Sequence, residues 1–138
     1  MLVSFGCMKK LMVQTSSRTE MVDITSQVKA YVREEGVTNG FVFVHVPHTT
    51  AGVTINEGAD PTVQQDIINC LNNLIPKQKE YQHSEGNSDA HIKASLMGSQ
   101  LSLIVKDQEL LLGTWQHIFF FEGDGPRTRY CYISHISK

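Results

Sequence analysis

The chain has 138 residues, with 12 Lys and Arg against 14 Asp and Glu, a formal net charge of −2 and 41% hydrophobic residues. This balance predicts one globular domain over residues 1–138, with a core that needs neither disulfides nor a structural metal. The charge gives no basic surface for nucleic acid. Apolar runs are far shorter than the ~18 residues of a spanning helix, and the three cysteines are widely spaced. We therefore expect a cytoplasmic protein with no nucleic-acid or membrane partner.

Hydrophobic periodicity and turn signals divide the chain into alternating elements. In chain order they are a strand at 8–15, a helix at 23–35, strands at 40–46 and 52–56, helices at 61–75 and 88–97, and strands at 101–105, 110–112, 115–122 and 128–136. The strands at 40–46 and 52–56 are close enough along the chain to pair, and the last four strands read as two hairpins. No regular βαβ alternation occurs, so the pattern predicts an α+β fold with a mainly antiparallel sheet and about three helices.

Three histidines are concentrated in the connections between these elements. His83 and His91 bracket a Gly-containing loop, so a loop folded back on itself would present both imidazoles to one point. With His48 they would supply three neutral nitrogen ligands and leave one position open, which is the arrangement of a catalytic zinc. The alternative is that each is a hydrogen-bonded loop histidine.

Charged residues beside these histidines suggest acid–base and phosphate chemistry. Glu57 and Asp60 flank a short turn before a helix, where a carboxylate can hold a metal or act as a base, although Asp60 also fits a simple N-cap. Lys93, together with Arg127 and Arg129 on one strand face, offers cations suited to phosphate. No Gly-x-Ser-x-Gly, P-loop or Rossmann fingerprint occurs, so neither a serine hydrolase nor a nucleotide-driven motor is supported.

Several polar blocks occur together in a recognisable order. They are His48-Thr-Thr-Ala51, Asn56-Glu57 with Asp60-Pro61, the stretch 83–95, Gly113-Thr-Trp-Gln116 and the turn 122–127. In this order the blocks resemble the YjbQ family, also called UPF0047, and the resemblance runs from about residue 10 to 136. It implies a compact α+β domain with an antiparallel β-sandwich-like core, assembled as a homotrimer.

Members of this family are described as secondary thiamine-phosphate synthases, which join an aminopyrimidine diphosphate to a thiazole phosphate and release pyrophosphate. The resemblance implies that Glu57, His91 and Lys93 are catalytic and that His48, His83 and His91 hold any metal. The residues it implies for substrate binding are Thr49, Asn56, Asp60, Glu85, Asn87, Thr114, Gln116 and Arg127. At His117 members often carry Gly or another small residue, so the ligand would differ if this position lines the pocket.

The cofactor and the reaction remain open between alternatives. A set of imidazoles favours zinc, whereas a diphosphate-bound metal favours magnesium. The partner expected in either case is a phosphorylated small molecule at an intersubunit site. One alternative is a metal-dependent hydrolase of a phosphate or an amide at the same site. Another is a non-catalytic trimeric module that binds a metal or a metabolite, so whether the chain is an enzyme is undecided by its residues.

Overall fold

The computed structural model describes residues 3–138 as two antiparallel sheets and three helices. The strands are β1 (Ser4–Phe5), β2 (Lys9–Gln14), β3 (Glu20–Asp23), β4 (Asn39–His45), β5 (Ala51–Glu57), β6 (Gln100–Lys106), β7 (Glu109–Leu110), β8 (Gln116–Glu122) and β9 (Thr128–Ser137). The helices are α1 (Thr25–Glu34), α2 (Pro61–Leu74) and α3 (Ser88–Met97). The predicted α+β class is confirmed, and all three helices lie close to their predicted bounds.

The strands are divided between two sheets of different size. The first sheet has the order β1-β9-β4-β6-β7, with β2 also paired to β9, and the second has the order β3-β8-β5. Side chains alternate along β4 and β9, so Val42, Val44 and Ile133 point into the core. There they meet Ile118 and Phe120 of β8. The core therefore lies between the two sheets, and the buried side of α1 closes it.

Two predicted strand pairings are wrong. The strands at 40–46 and 52–56 do not pair, because β4 belongs to the first sheet and β5 to the second. The strands β8 and β9 likewise form no hairpin, since the turn at 123–127 carries the chain from one sheet to the other. The physical reason is that β8 is the central strand of the second sheet and is buried on both faces. The predicted hairpin of β6 and β7 is confirmed.

Helix α3 lies against β5 at a point where there is no room for a side chain. A Cβ atom on Gly52 would come within 2.5 Å of the carbonyl oxygen of Gly98 and 3.1 Å of Cβ of Met97. Gly98 ends the helix with φ +88°, a conformation that favours glycine. Two glycines thus fix the distance between α3 and the second sheet, and α3 forms a wall shared by the two cavities described below.

Candidate functional site: a histidine cleft beside helix α3

An open cleft of about 370 Å³ lies between the connection at 46–50 and helix α3, and we call it the histidine cleft. It is lined by His48, Thr49, Ala51, His91, Ala94, Ser95, Gly98 and Ser99. Its volume is within the range of small-molecule sites. Three of the residues predicted from sequence therefore line one cavity: His48, Thr49 and His91.

His48 is held against the end of strand β9. Its Nε2 atom lies 3.1 Å from the carbonyl oxygen and 3.2 Å from the backbone nitrogen of Tyr130. Burial, together with the nearby Arg129 guanidinium, lowers the pKa of His48 below its ordinary value of 6.5. The imidazole is therefore neutral at pH 7. The Tyr130 N–H donates to Nε2 in the tautomer that carries its proton on Nδ1, which then offers an N–H donor. The other tautomer donates from Nε2 to the Tyr130 carbonyl oxygen and leaves a lone pair on Nδ1, which can act as a base or as a metal ligand.

His91 lies in α3 between the histidine cleft and a neighbouring depression. The rings of His91 and His83 meet edge to face with centroids 5.4 Å apart. Both residues line the depression, but only His91 also lines the histidine cleft. Nε2 of His83 also lies 3.7 Å from the carboxylate of Glu85, which is largely exposed. Within residues 3–138, no group of three or more His, Cys, Asp or Glu side chains is arranged to hold a metal ion. Of the three predicted metal ligands, His48 and His91 line the cleft, whereas His83 does not.

A buried ion pair supports the cleft from the core side. Nη2 and Nε of Arg129 donate to the carboxylate of Glu122 at 2.6 and 2.9 Å, and Nη2 also donates to Oγ1 of Thr50 at 2.7 Å. Thr15 donates to the same carboxylate at 3.0 Å. Burial alone would raise the pKa of Glu122, but the hydrogen bonds from Arg129 and its neighbours hold it below the usual range. The pair fixes Thr50 and therefore the connection that carries His48.

The sequence alone did not indicate this network, and the predicted placement of Arg127 and Arg129 on one strand face is wrong. Arg127 and Arg129 do not share a strand face, because β9 begins at Thr128 and Arg127 lies in the turn before it. Arg129 is buried, because inward and outward positions alternate along β9 and residue 129 is an inward one. That alternation is visible in the sequence as Arg129, Cys131 and Ile133, and it could have indicated a buried cation that requires a carboxylate partner.

A second buried cluster lies on the other side of α3. The carboxylate of Asp89 accepts two hydrogen bonds from Arg18, both at 2.9 Å, and one from Lys93 at 2.9 Å. Lys93 also donates to Oδ1 of Asn72 at 2.7 Å. Burial would raise the pKa of Asp89, but the hydrogen bonds and charges of the two cations lower it to about 2. Lys93 is therefore not beside His91, since helix positions two apart lie on opposite faces.

Two of the predicted substrate-binding residues stabilise the turn at 123–127. Nδ2 of Asn87 donates to Oδ2 of Asp124 at 3.0 Å, and Nη2 of Arg127 donates to the Asp124 carbonyl oxygen at 2.7 Å. Oδ1 of Asn87 is buried without a hydrogen-bond partner. This polar turn lies next to α3 but neither residue lines the histidine cleft.

The remaining predicted residues lie at the far end of the second sheet. Ala51 pairs with Glu122 at one end of β5, and Glu57 pairs with Gln116 at the other end. The six residue steps from Ala51 to Glu57 correspond to about 20 Å of strand. Within one chain, the structure therefore does not bring Glu57 to the histidine cleft.

Several polar groups at this far end have local structural roles. Asp60 caps α2 by accepting from the backbone nitrogen of Thr62 at 2.9 Å, as the N-cap alternative predicted. Oε1 of Gln116 accepts from the nitrogen of Gly113 at 2.8 Å, and Oδ1 of Asn56 accepts from that of Glu57 at 2.8 Å. Thr114 is exposed in the connection before β8.

His117 also lies at the far end and forms a hydrogen bond with Asp23. Nδ1 of His117 lies 2.5 Å from Oδ2 of Asp23. Its ring occupies the space above Gly58, where an added Cβ would come within 2.0 Å of the ring. His117 therefore contacts Asp23 and Gly58 and does not line the histidine cleft.

The fold and the cleft together define a class of small α+β proteins, in which two antiparallel sheets enclose the core and a helix carries half of a histidine cleft. The chain belongs to the YjbQ family, because the family model described as UPF0047 protein YjbQ-like matches residues 9–138. No helix in the described chain has the length and apolar character to cross a bilayer.

Individual relatives agree with this assignment. The chain is 54% identical over 127 residues to UPF0047 protein MJ1081 of Methanocaldococcus jannaschii, covering 92% of each chain. It is 48% identical to UPF0047 protein YugU of Bacillus subtilis, covering 91% of this chain and 96% of the relative.

Solved structures of relatives have the same fold. An uncharacterised YjbQ/UPF0047 protein of Clostridium acetobutylicum has a TM-score of 0.89 at 50% identity, covering 91% of this chain and 97% of that one. A protein of unknown function from Sulfolobus solfataricus has a TM-score of 0.94 at 29% identity, covering 99% and 100%.

Proposed function

We propose that the chain is a transferase of the thiamine-phosphate synthase type that works at the histidine cleft. The observation that carries this proposal is that His48 and His91, which come from separate elements, line one cavity of ligand size together with the side chains of Thr49, Ser95 and Ser99. In this reaction the bond from the aminopyrimidine methylene carbon to the diphosphate oxygen breaks. A bond from the same carbon to the thiazole nitrogen forms, and pyrophosphate leaves.

The main task of the site is to stabilise the leaving pyrophosphate. None of the residues that line the cleft is Lys or Arg, so the compensating charge has to come from a protonated imidazole, a bound metal or another subunit. We assign His91 as the hydrogen-bond donor to the leaving diphosphate. His48, which is neutral because of its lowered pKa, accepts a hydrogen bond from the substrate or holds a metal. A divalent metal held by His48 and His91 would supply positive charge beside the diphosphate.

We propose that the active form is a homotrimer with the cleft at a subunit boundary. The outer face of the first sheet, which we call the aromatic face, carries apolar and aromatic side chains beside polar ones such as Lys10 and Ser134. Its apolar and aromatic members are Met12, Phe41, Phe43, Ile104, Tyr130, Tyr132 and Ile136. Phe41 and Ile104 are 49% and 51% exposed, and an apolar face of this kind is typical of a protein interface. The ring of Tyr130 contacts His48 with centroids 4.7 Å apart. A second copy on this face would therefore lie beside the cleft and supply donors that one chain lacks.

A metal-dependent hydrolase at the same cleft is the second candidate. The observation that favours it is the contact between Nε2 of His48 and the Tyr130 carbonyl oxygen, because metal-binding histidines commonly donate their other ring N–H to such a group. A hydrolase would use the same neutral imidazoles to bind a metal and attack a phosphate or an amide with water.

The test is turnover of an aminopyrimidine diphosphate and a thiazole phosphate by the purified full chain, with and without Zn²⁺ or Mg²⁺. We expect thiamine phosphate to form, and we expect His91→Ala to lower the rate by about 100-fold, the usual contribution of a proton-donating side chain. His117→Ala is the matched control and should retain the rate, since His117 lies outside the cleft.

Equal rates for the wild type and His91→Ala would contradict the assignment of the cleft. No synthesis by the wild type, combined with metal-dependent cleavage of a phosphate ester or an amide, would overturn the synthase in favour of the hydrolase. Tight binding of a metal or of either precursor without any turnover would favour a non-catalytic binding module instead.

A further inference from the structure

A second cavity of about 540 Å³ lies between helices α2 and α3, and we call it the interhelix cavity. It is lined by Arg18, Thr19, Gln65, Ile68, Asn69, Asn72, Pro76, Lys77, Gln78, Asp89 and Lys93. Its α3 residues, Asp89 and Lys93, are on the face of the helix opposite to His91 and Ser95, which line the histidine cleft. The two cavities are therefore separate sites.

The wall of the interhelix cavity carries more positive than negative charge. Lys93 is 1% exposed and Arg18 is partly buried, and both form ion pairs with the single carboxylate of Asp89. Arg18 also lies 3.8 Å from Asp124, but that carboxylate is already paired with Arg127 at 3.0 Å. Of the residues that line the cavity, Arg18 and Lys93 are thus two cations that share the one carboxylate of Asp89. Lys77 at the cavity rim adds a further positive charge, so the cavity is suited to an anion.

The polar groups of this wall are mainly hydrogen-bond donors. Asn72 and Asp89 accept two of the three N–H bonds of the Lys93 ammonium, which leaves the third for a ligand. Oδ1 of Asn72 is used by Lys93, and Oδ1 of Asn69 is used by Gln65 at 2.9 Å. The amide nitrogens of both asparagines therefore remain as donors. A cluster of donors around a buried ammonium matches the oxygens of a phosphate group.

Two apolar side chains complete the cavity. Ile68 of α2 and Pro76, just after that helix, line it beside the polar groups. They would contact the uncharged part of a ligand whose charged group lies near Lys93. The cavity volume of about 540 Å³ is much larger than a lone phosphate ion, so the cavity has room for the rest of a small molecule.

We propose that the interhelix cavity binds the phosphate group of a small phosphorylated metabolite, at a site distinct from the histidine cleft. Lys93 and Arg18 supply the charge, Asn69 and Asn72 donate hydrogen bonds, and Ile68 with Pro76 contacts the body of the ligand. The proposal does not depend on the reaction at the cleft, because no residue lines both cavities.

The experiment is calorimetric titration of the full chain with inorganic phosphate at low ionic strength. The diagnostic variant is Asn69→Glu, which puts a carboxylate at the mouth of the cavity without changing the buried ion pairs. The matched control is Asn73→Glu, which adds the same charge on the same helix at an exposed position outside the cavity. A second pair of variants is Lys77→Ala and Lys79→Ala. Each removes one positive charge, but Lys77 lines the cavity and Lys79 does not.

We expect Asn69→Glu to weaken binding of the probe at least tenfold and Lys77→Ala to weaken it two- to fivefold. Asn73→Glu and Lys79→Ala should stay within twofold of the wild type. His91→Ala should also stay within twofold, which separates this site from the histidine cleft. Absence of binding at millimolar phosphate, equal binding by Asn69→Glu and Asn73→Glu, or loss of binding in His91→Ala would each overturn the proposal.

Discussion

At the scale of single residues, the structure depends on two buried ion pairs that surround helix α3. Arg129 with Glu122 supports the histidine cleft, and Arg18 with Lys93 neutralises Asp89 beside the interhelix cavity. Both carboxylates have a lowered pKa because hydrogen bonds from cations outweigh the effect of burial. Such pairs cost free energy to bury, so removing one partner is far more damaging than replacing an exposed charge.

Substituting Asp89→Asn should lower the free energy of unfolding by about 3 kcal/mol, because it leaves the buried Lys93 without a counter-charge and Arg18 with only the more distant Asp124. Urea denaturation at pH 7 measures this loss. The control is Asp66→Asn, an exposed position on α2 that should change stability by less than about 0.5 kcal/mol. Equal stability of the two variants would contradict the role of Asp89.

The same pair predicts the direction of acid sensitivity. The folded pKa of Asp89 is about 2 and its ordinary value is 3.8, so its stabilising effect is complete only above about pH 5. That effect is lost progressively as the pH falls from about 5 through the folded pKa of about 2. The wild type should therefore lose more stability over this interval than Asp89→Asn does.

At the scale of elements, the sequence predicted helices better than strand partners. Asp60 before Pro61 and the glycine at 98 mark helix ends by local chemistry alone. Strand pairing depends on which faces are covered, and the apolar run at 118–121 is consistent with a hairpin or with a central strand. Only the packing of both faces of β8 decides between them.

The same distinction explains which site residues were predicted to lie together. His48 and His91 do line one cleft, with His48 in the connection before β5 and His91 in the first half of α3. Lys93 does not line the cleft. It is two residues after His91 in the same predicted helix, and this spacing already places the two side chains on opposite faces. Glu57 lies about 20 Å along β5 from the end of the strand near the cleft, a distance set by strand register that one sequence does not encode.

Helix α3 should move if the close contact at Gly52 is filled. Gly52→Ala places a Cβ against the Gly98 carbonyl, so we expect a loss of about 2 kcal/mol in the free energy of unfolding. Gly113→Ala is the control, since its Cβ would meet nothing nearer than 3.4 Å and should be neutral. Denaturation of both variants gives the comparison, and a neutral Gly52→Ala would show that α3 is free to shift.

At the scale of the whole molecule, the aromatic face and the histidine cleft meet at one strand. The backbone of Tyr130 contacts His48, and its side chain belongs to the outer face of the first sheet. A homotrimer built on this face would place the cleft at the boundary between two copies. It would also bring groups from a second copy to a cleft where, within residues 3–138, His48 and His91 are the lining imidazoles.

Ile104→Glu tests this assembly, because it puts a charge on the aromatic face, directly opposite Phe41 of β4. We expect the wild type to be a trimer and the variant a folded monomer, as measured by light scattering after gel filtration together with circular dichroism. Leu74→Glu is the control, an equally drastic change at an exposed leucine of α2. A trimeric Ile104→Glu, or a monomeric wild type, would contradict the proposed interface.

The central claim is that the histidine cleft holds the diphosphate of the substrate. A crystal structure of the full chain with an aminopyrimidine diphosphate tests it most directly. The account predicts diphosphate oxygens within about 3.2 Å of the His91 imidazole, inside the cavity that His48 and Ser95 also line. A diphosphate bound only between α2 and α3, or at the far end of the second sheet near Glu57, would contradict it.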